Sequence, residues 1–197
     1  VREAHRFDEA ALTRHLEAHA PGYRGPLSVR QFAGGQSNPT YLLVTPDHRY
    51  VLRKKPPGQL LPSAHAVDRE YRVISALAKT DVPVARAVLY CDDASVIGTP
   101  FYVMDHVPGR IFRDPRLPDL APAERSAIYD RMNETMAALH RVNVDAVGLS
   151  DFGRPGSYFA RQIKRWTKQY ELSRTDDLRA MNALIEWLPK QPAVADE

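Results

Sequence analysis

Cysteine is nearly absent. Among 197 residues only Cys91 carries a thiol, so no disulfide can form within the chain and a reducing compartment is favoured. No apolar run approaches the roughly 18 residues that span a bilayer, and the N-terminus lacks a basic stretch followed by an apolar core. Neither a membrane partner nor a secretory leader is expected, and the chain reads as cytoplasmic. Blocks of like charge are missing too. The 27 Lys and Arg are scattered among 24 Asp and Glu, so the formal net charge of +3 gives little support to a nucleic-acid partner. There are no internal repeats or low-complexity tracts. An initiating methionine is also lacking, since the chain runs from Val1 to Glu197, and a fragment is the expected reading.

What is present is an ordinary globular composition, 44% hydrophobic and 26% charged, able to bury a core. Asp8 is a plausible N-cap, Leu12 and Leu16 recur at helical spacing, and Pro21-Gly22 ends the pattern, which predicts a helix over 7–20. His15 and His19 lie four apart on it, but no ligand pattern surrounds them, and both are expected to be solvated. Short extended runs at 27–33, 41–45 and 49–54 read as an antiparallel meander. A helix is predicted over 64–79, followed by strands at 85–91 and 100–107 flanking a turn at Asp92-Asp93-Ala94-Ser95. After Pro108-Gly109 the pattern turns helical: 121–142, with Ile128, Met132, Met136 and Leu139 on one face, then 156–172 and 175–188. The expected fold class is α+β and two-lobed. Residues 1–107 form a small lobe of one helix, a five-stranded antiparallel sheet and one packed helix, and 108–197 begin a helical lobe. Ligands are expected in the crevice between lobes.

Three constellations carry chemistry. Gly34, Gly35, Gln36, Ser37 and Asn38 form a Gly-rich turn between two strands. Its glycines allow close backbone approach to an anion, and Ser37 and Asn38 can donate to phosphate oxygens. Taken alone it is an ordinary hairpin turn. On the strand 50–54, alternation puts Val51 and Arg53 on one face, with Leu52 and Lys54 on the other. On the following helix Val67, Ile74 and Leu77 mark the inward stripe, and Glu70 lies between them. A buried carboxylate without a partner costs several kcal/mol, which makes Arg53 its natural counterion, and a strand cation held by a helix acid is how protein kinases orient the group that grips nucleotide phosphates. A purely structural ion pair is the alternative. Third, the strand 101–107 ends at Pro108-Gly109 where the two halves meet. Backbone groups freed from the ladder there can bind a flat heterocycle, and Met104 can pack behind it. The three occur in the order a kinase small lobe requires.

The run 103–112 resembles the hinge of protein kinases, which implies that the Asp105 carbonyl and the Val107 N–H contact adenine. More broadly the chain resembles the aminoglycoside phosphotransferase superfamily, in the branch associated with acyl-CoA dehydrogenases. The segments that carry the likeness are Gly34-Gly35-Gln36-Ser37-Asn38-Pro39-Thr40-Tyr41, residues 50–58, Asp68-Arg69-Glu70-Tyr71, residues 101–109, Ala138-Leu139-His140, and Val147-Gly148-Leu149 through Arg161-Gln162 and Trp166. The resemblance implies a protein-kinase-like fold, ATP and Mg2+ as cofactors, and a small-molecule acceptor with a hydroxyl group, such as a hydroxyacyl thioester or an aminoglycoside. Carried over, Ser37 and Asn38 touch ATP phosphates, Arg53 takes the place of a strand lysine, and Glu70 holds it. Arginine keeps the role as a bidentate phosphate binder, and Lys54 is the fallback if the register shifts by one.

The family places its catalytic base in a His-Gly-Asp loop and a magnesium ligand in a later Asp-containing segment. Neither occurs in this sequence, and His140 reads as a helix-end histidine. The expectation is that base and metal ligands lie beyond Glu197 and that residues 1–197 alone turn nothing over. A non-catalytic nucleotide-binding or interaction module is the competing reading. An acyl-CoA dehydrogenase in its own right is disfavoured by the lack of a flavin-binding pattern. Trp166 among Arg161, Lys164, Arg165 and Lys168 is the best local case for a nucleic-acid binder, but it fits a solvated helix surface or the acceptor side of the cleft better.

Overall fold

Alternation of large apolar side chains along five short runs builds the sheet that organises the chain. In the computed structural model, which describes residues 1, 3–33, 38–56, 58, 65–153 and 156–191, the strands are β1 (Ser28–Gln31), β2 (Thr40–Val44), β3 (Arg49–Lys54), β4 (Ala87–Cys91) and β5 (Phe101–Asp105). Their order is β1-β2-β3-β5-β4, and every neighbour is antiparallel. Because side chains alternate between faces, the sheet has two different surfaces. Tyr41, Leu43, Leu52, Phe101 and Val103 are fully buried on one of them. Leu12 and Leu16 of helix α1 (Glu9–His19) join them in the main core, and burying each such side chain stabilises the fold by about 2 kcal/mol.

The start of α1 follows from its cap. The Asp8 carboxylate accepts from the Ala11 N–H at 2.9 Å, satisfying one of the donors a helix start leaves open. At the other end Ala20 is extended, as expected before Pro21. Helix α2 (Val67–Leu77) covers the opposite face. Its Tyr71 ring lies 5.7 Å from Tyr90 of β4 and 6.1 Å from Tyr102 of β5, and this aromatic contact anchors α2 to the central strands. A short helix α3 (Ala94–Ile97) follows β4, and α4 (Pro122–His140), α5 (Tyr158–Ser173) and α6 (Arg179–Trp187) complete the set. The chain forms two compact units, Val1–Gly148 and Leu149–Glu197. The first holds the sheet and α1 to α4, the second α5 and α6.

Three local expectations change. The turn at 92–95 is instead the start of α3, where Asp93 accepts from the Ser95 N–H at 2.8 Å and Gly98 closes the turn at φ 85°, a left-handed conformation glycine adopts without strain. His15 is half-buried, not solvated. Its ring meets Phe101 edge-on at 5.8 Å and stacks on His19 at 4.3 Å, and burial, with the His19 charge second, pushes its pKa down. The predicted apolar face of α4 is exposed, with Met132 at 56% and Met136 at 55%.

Candidate functional site

Cross-strand register places the candidate residues. Val51 lies opposite Met104, and Arg53 lies opposite both Tyr102 on β5 and Thr40 on β2. Directly opposed residues share a face, so Val51, Arg53, Tyr102 and Met104 form a patch on the α2 side of the sheet. Lys54, one residue on, faces the other way. It is 4% exposed, its ammonium sits 5.2 Å from the Phe7 ring, and burial pushes its pKa down. The register leaves Arg53, and not Lys54, beside Glu70.

Glu70 stands in the first turn of α2, where the helix dipole favours an acid. Its carboxylate accepts four hydrogen bonds. Oε2 takes one from Arg53 Nε and one from the Tyr102 hydroxyl, each at 2.9 Å; Oε1 takes one from Arg53 Nη2 at 3.3 Å and one from Asn38 Nδ2 at 2.9 Å. Burial raises the Tyr102 pKa strongly, and the adjacent Glu70 charge raises it further while Arg53 opposes. The Arg53 and Glu70 side chains remain 31% and 35% exposed. A pair so open to water contributes roughly 0–1 kcal/mol to stability, too little to explain four donors converging on one carboxylate. The arrangement orients Arg53. Its guanidinium gives Nε and one N–H of Nη2 to Glu70, and among the described residues Nη1 has no acceptor.

Asn38, read from the sequence as a phosphate contact, is 5% exposed with its amide committed at both ends, Nδ2 to Glu70 and Oδ1 to His65 Nδ1 at 2.9 Å. Gly34, Gly35, Gln36 and Ser37 lie outside the described residues. At the hinge, the Asp105 N–H donates to the Arg86 carbonyl at 2.9 Å, while His106 N–H donates to the Arg49 carbonyl at 3.1 Å. Within a strand the N–H and C=O of one residue project to the same edge, so the Asp105 carbonyl turns away from β3. Its side chain lies on the α1 face, where the carboxylate takes a fork from Arg86 at 2.7 and 2.9 Å and a third bond with His48 Nε2 at 3.0 Å. Burial pushes the Asp105 pKa up, but the combined hydrogen bonds and charges of Arg86 and His48 win and hold it below the usual carboxylate range. Val107 is 66% exposed.

Two members of the site escaped the sequence reading. Tyr102 was legible, because it sits two residues before Met104 and must share its face. His65 was not, because its contact with Asn38 depends on where α2 docks.

The sequence profile of the phosphotransferase enzyme family matches residues 28–196. This chain belongs to that family. The chain is similar to acyl-CoA dehydrogenase family member 11 from Gallus gallus, 52% identical over 192 residues that make up 95% of this chain and 25% of the relative. It is 48% identical to the Homo sapiens protein of the same name, over 94% of this chain and 24% of that one. It therefore spans about a quarter of the length of these curated relatives. A crystal structure of a "putative aminoglycoside phosphotransferase" from Ralstonia eutropha JMP134 superimposes with a TM-score of 0.80 at 53% identity, covering 95% of this chain and 54% of that one. The fold is thus the α+β, kinase-like fold of the aminoglycoside phosphotransferases. No described helix of the chain is long and apolar enough to cross a membrane.

Proposed function

We propose that this chain is the nucleotide-binding part of a small-molecule kinase, in which Arg53 grips ATP phosphates from the fixed orientation that Glu70 gives it. The observation that carries the reading is the division of labour within the guanidinium: one edge is held by a carboxylate that accepts four hydrogen bonds, and among the described residues Nη1 meets no acceptor, so it would be open to an anion. A flexible surface cation would need no such clamp, whereas phosphoryl transfer depends on positioning and charge stabilisation.

The residues fit ATP. Arg53 and the Asn38 backbone would meet phosphate oxygens, and Gly34, Gly35, Gln36 and Ser37, which lie outside the described residues, are proposed as further phosphate contacts on their sequence alone. Val51 and Met104 would pack against the base, and the Asp105 carbonyl and Val107 N–H would hydrogen-bond its edge. Bound ATP would supply the phosphoryl group, passed to a hydroxyl of a small-molecule acceptor. The names of the relatives favour an acyl thioester bearing a hydroxyl as that acceptor. Mg2+ is a different matter. Among the described residues no three His, Cys, Asp or Glu side chains cluster to hold a metal ion, and no residue is assigned as a magnesium ligand or catalytic base.

The test is binding of a non-hydrolysable ATP analogue to the full-length protein and its Arg53→Ala variant by calorimetry. Charge-assisted hydrogen bonds are worth about 1.5–3 kcal/mol, so affinity should fall by about ten- to a hundredfold. Unchanged affinity would remove Arg53 from the site and the reading with it.

A further inference from the structure

We propose that His65 is a positioning residue for the phosphate-gripping pair, acting through Asn38; the functional half of this inference rests on the nucleotide reading above. Direction in the hydrogen-bond chain makes the case. The Glu70 carboxylate only accepts, so Asn38 must present Nδ2 to it, which turns Oδ1 toward His65 Nδ1. An amide oxygen also only accepts, so Nδ1 must carry the ring proton. His65 therefore acts as the donor that holds the Asn38 amide in place.

The backbone supports the assignment. His65 has φ 58°, in the left-handed region that few L residues tolerate and where Asn, Asp and His are enriched. It lies two residues before Val67, the first residue of α2, and its carbonyl accepts from the Val67 N–H at 2.9 Å. Asn38 is tied to the sheet from the other side. Its carbonyl accepts from Thr40 Oγ1 at 3.0 Å, and the next carbonyl, that of Pro39, accepts from the Lys54 N–H at 3.1 Å. One histidine therefore fixes a buried amide that joins the strand entering β2 to the acid on α2 and, through it, to Arg53. Without that donor the Asn38 oxygen becomes a buried acceptor lacking its partner, the amide is free to rotate, and Glu70 loses one of its four donors.

Two measurements on the full-length protein test this. The first needs no nucleotide: hydrogen exchange at the Arg53 Nε–H, followed by 15N NMR. In His65→Gly, which relieves the backbone and removes the donor, exchange should accelerate about tenfold, the worth of one hydrogen bond. In His65→Asn, which tolerates the left-handed backbone and places an N–H near the Nδ1 position, the wild-type rate should return. If His65→Gly does not fold, His65→Asp takes its place, isosteric with His65→Asn but presenting a charged acceptor where the donor stood. The second is affinity for the non-hydrolysable ATP analogue, expected to fall about tenfold with the loss of the donor and recover in His65→Asn. Unchanged exchange in the variant without a donor overturns the proposal, as does a loss that His65→Asn fails to rescue. A wild-type protein that binds no analogue defeats the nucleotide reading, while the exchange result still decides whether His65 orients Arg53.

Discussion

Replacing Tyr102 by Phe isolates one bond of the Glu70 cluster and gives it a signature in pH. Tyr102 is 3% exposed and its hydroxyl donates to Glu70 Oε2 at 2.9 Å. A hydrogen bond to a charged acceptor is worth about 1.5–3 kcal/mol, but water reaches the partly exposed carboxylate, so the loss near neutral pH should be about 1 kcal/mol. The pH dependence adds a second term. The folded phenol has its pKa raised by burial first and by Glu70 second, so above pH 10 the unfolded chain releases a proton that the folded chain keeps. The unfolded state then binds fewer protons, and stability must fall as pH rises. At pH 11, with the folded phenol still protonated, this term amounts to about 1.4 kcal/mol. The wild-type advantage of about 1 kcal/mol should therefore vanish between pH 10 and 11 and reverse slightly. Tyr41, its pKa pushed up to about 12 by burial, bends both curves alike and cancels in the difference. Both tryptophans, Trp166 and Trp187, lie in Leu149–Glu197 and report on the other unit. Urea unfolding should accordingly be followed by far-UV circular dichroism. Parallel stability curves for wild type and Tyr102→Phe from pH 9 to 11 would refute the burial of an un-ionised phenol on Glu70.

Two further predictions concern groups on the α1 face. Asp105→Asn loses the Arg86 fork and the His48 contact; because the Arg86 side chain is 63% exposed, the cost at pH 7 should be no more than about 1 kcal/mol. The wild-type carboxyl has a lowered pKa, so its contribution is present above about pH 4 and disappears as pH falls through the folded value, and acid titration by circular dichroism should show this limb flattened in the variant. Lys54→Met should be neutral or stabilising by about 1 kcal/mol at pH 7, because among the described residues the buried ammonium meets the Phe7 ring and no carboxylate, and its desolvation outweighs a cation–π contact. Since burial lowers the Lys54 pKa, wild-type stability should rise with pH toward about 10.5 relative to Lys54→Met, and denaturant midpoints at pH 7 and 10 check the sign.

Much of this arrangement could be read from the residues, and the reasons differ from one to the next. Strand β3 announced its two faces through alternation, because a period of two leaves no freedom once Leu52 is placed in the core, and that same rule separates Arg53 from Lys54. Glu70 was legible because it sits three residues after Val67 and four before Ile74, which puts it on the inward stripe of a regular helix. The same rule applied to β5 would have exposed Tyr102. Asn38 was assigned to phosphate from its place after the glycines, yet its amide is directed to Glu70 and His65, a choice set by the docking of α2 and invisible in a local pattern. The half-burial of His15 likewise depends on Phe101, far away in sequence. Asp92 to Ser95 reads equally well as a turn or as the cap of a short helix, since Asp93 serves both.

The pleat at Asp105 separates two jobs within one residue. Its carboxylate is fastened on the α1 face by Arg86 and His48, while its carbonyl turns away from β3, toward the side of the strand where β4 lies. A ligand bonded to that carbonyl would meet peptide geometry, which exchange of the Asp105 side chain does not rewrite directly. A substitution at position 105 would act at a distance, by loosening the strand that carries the carbonyl.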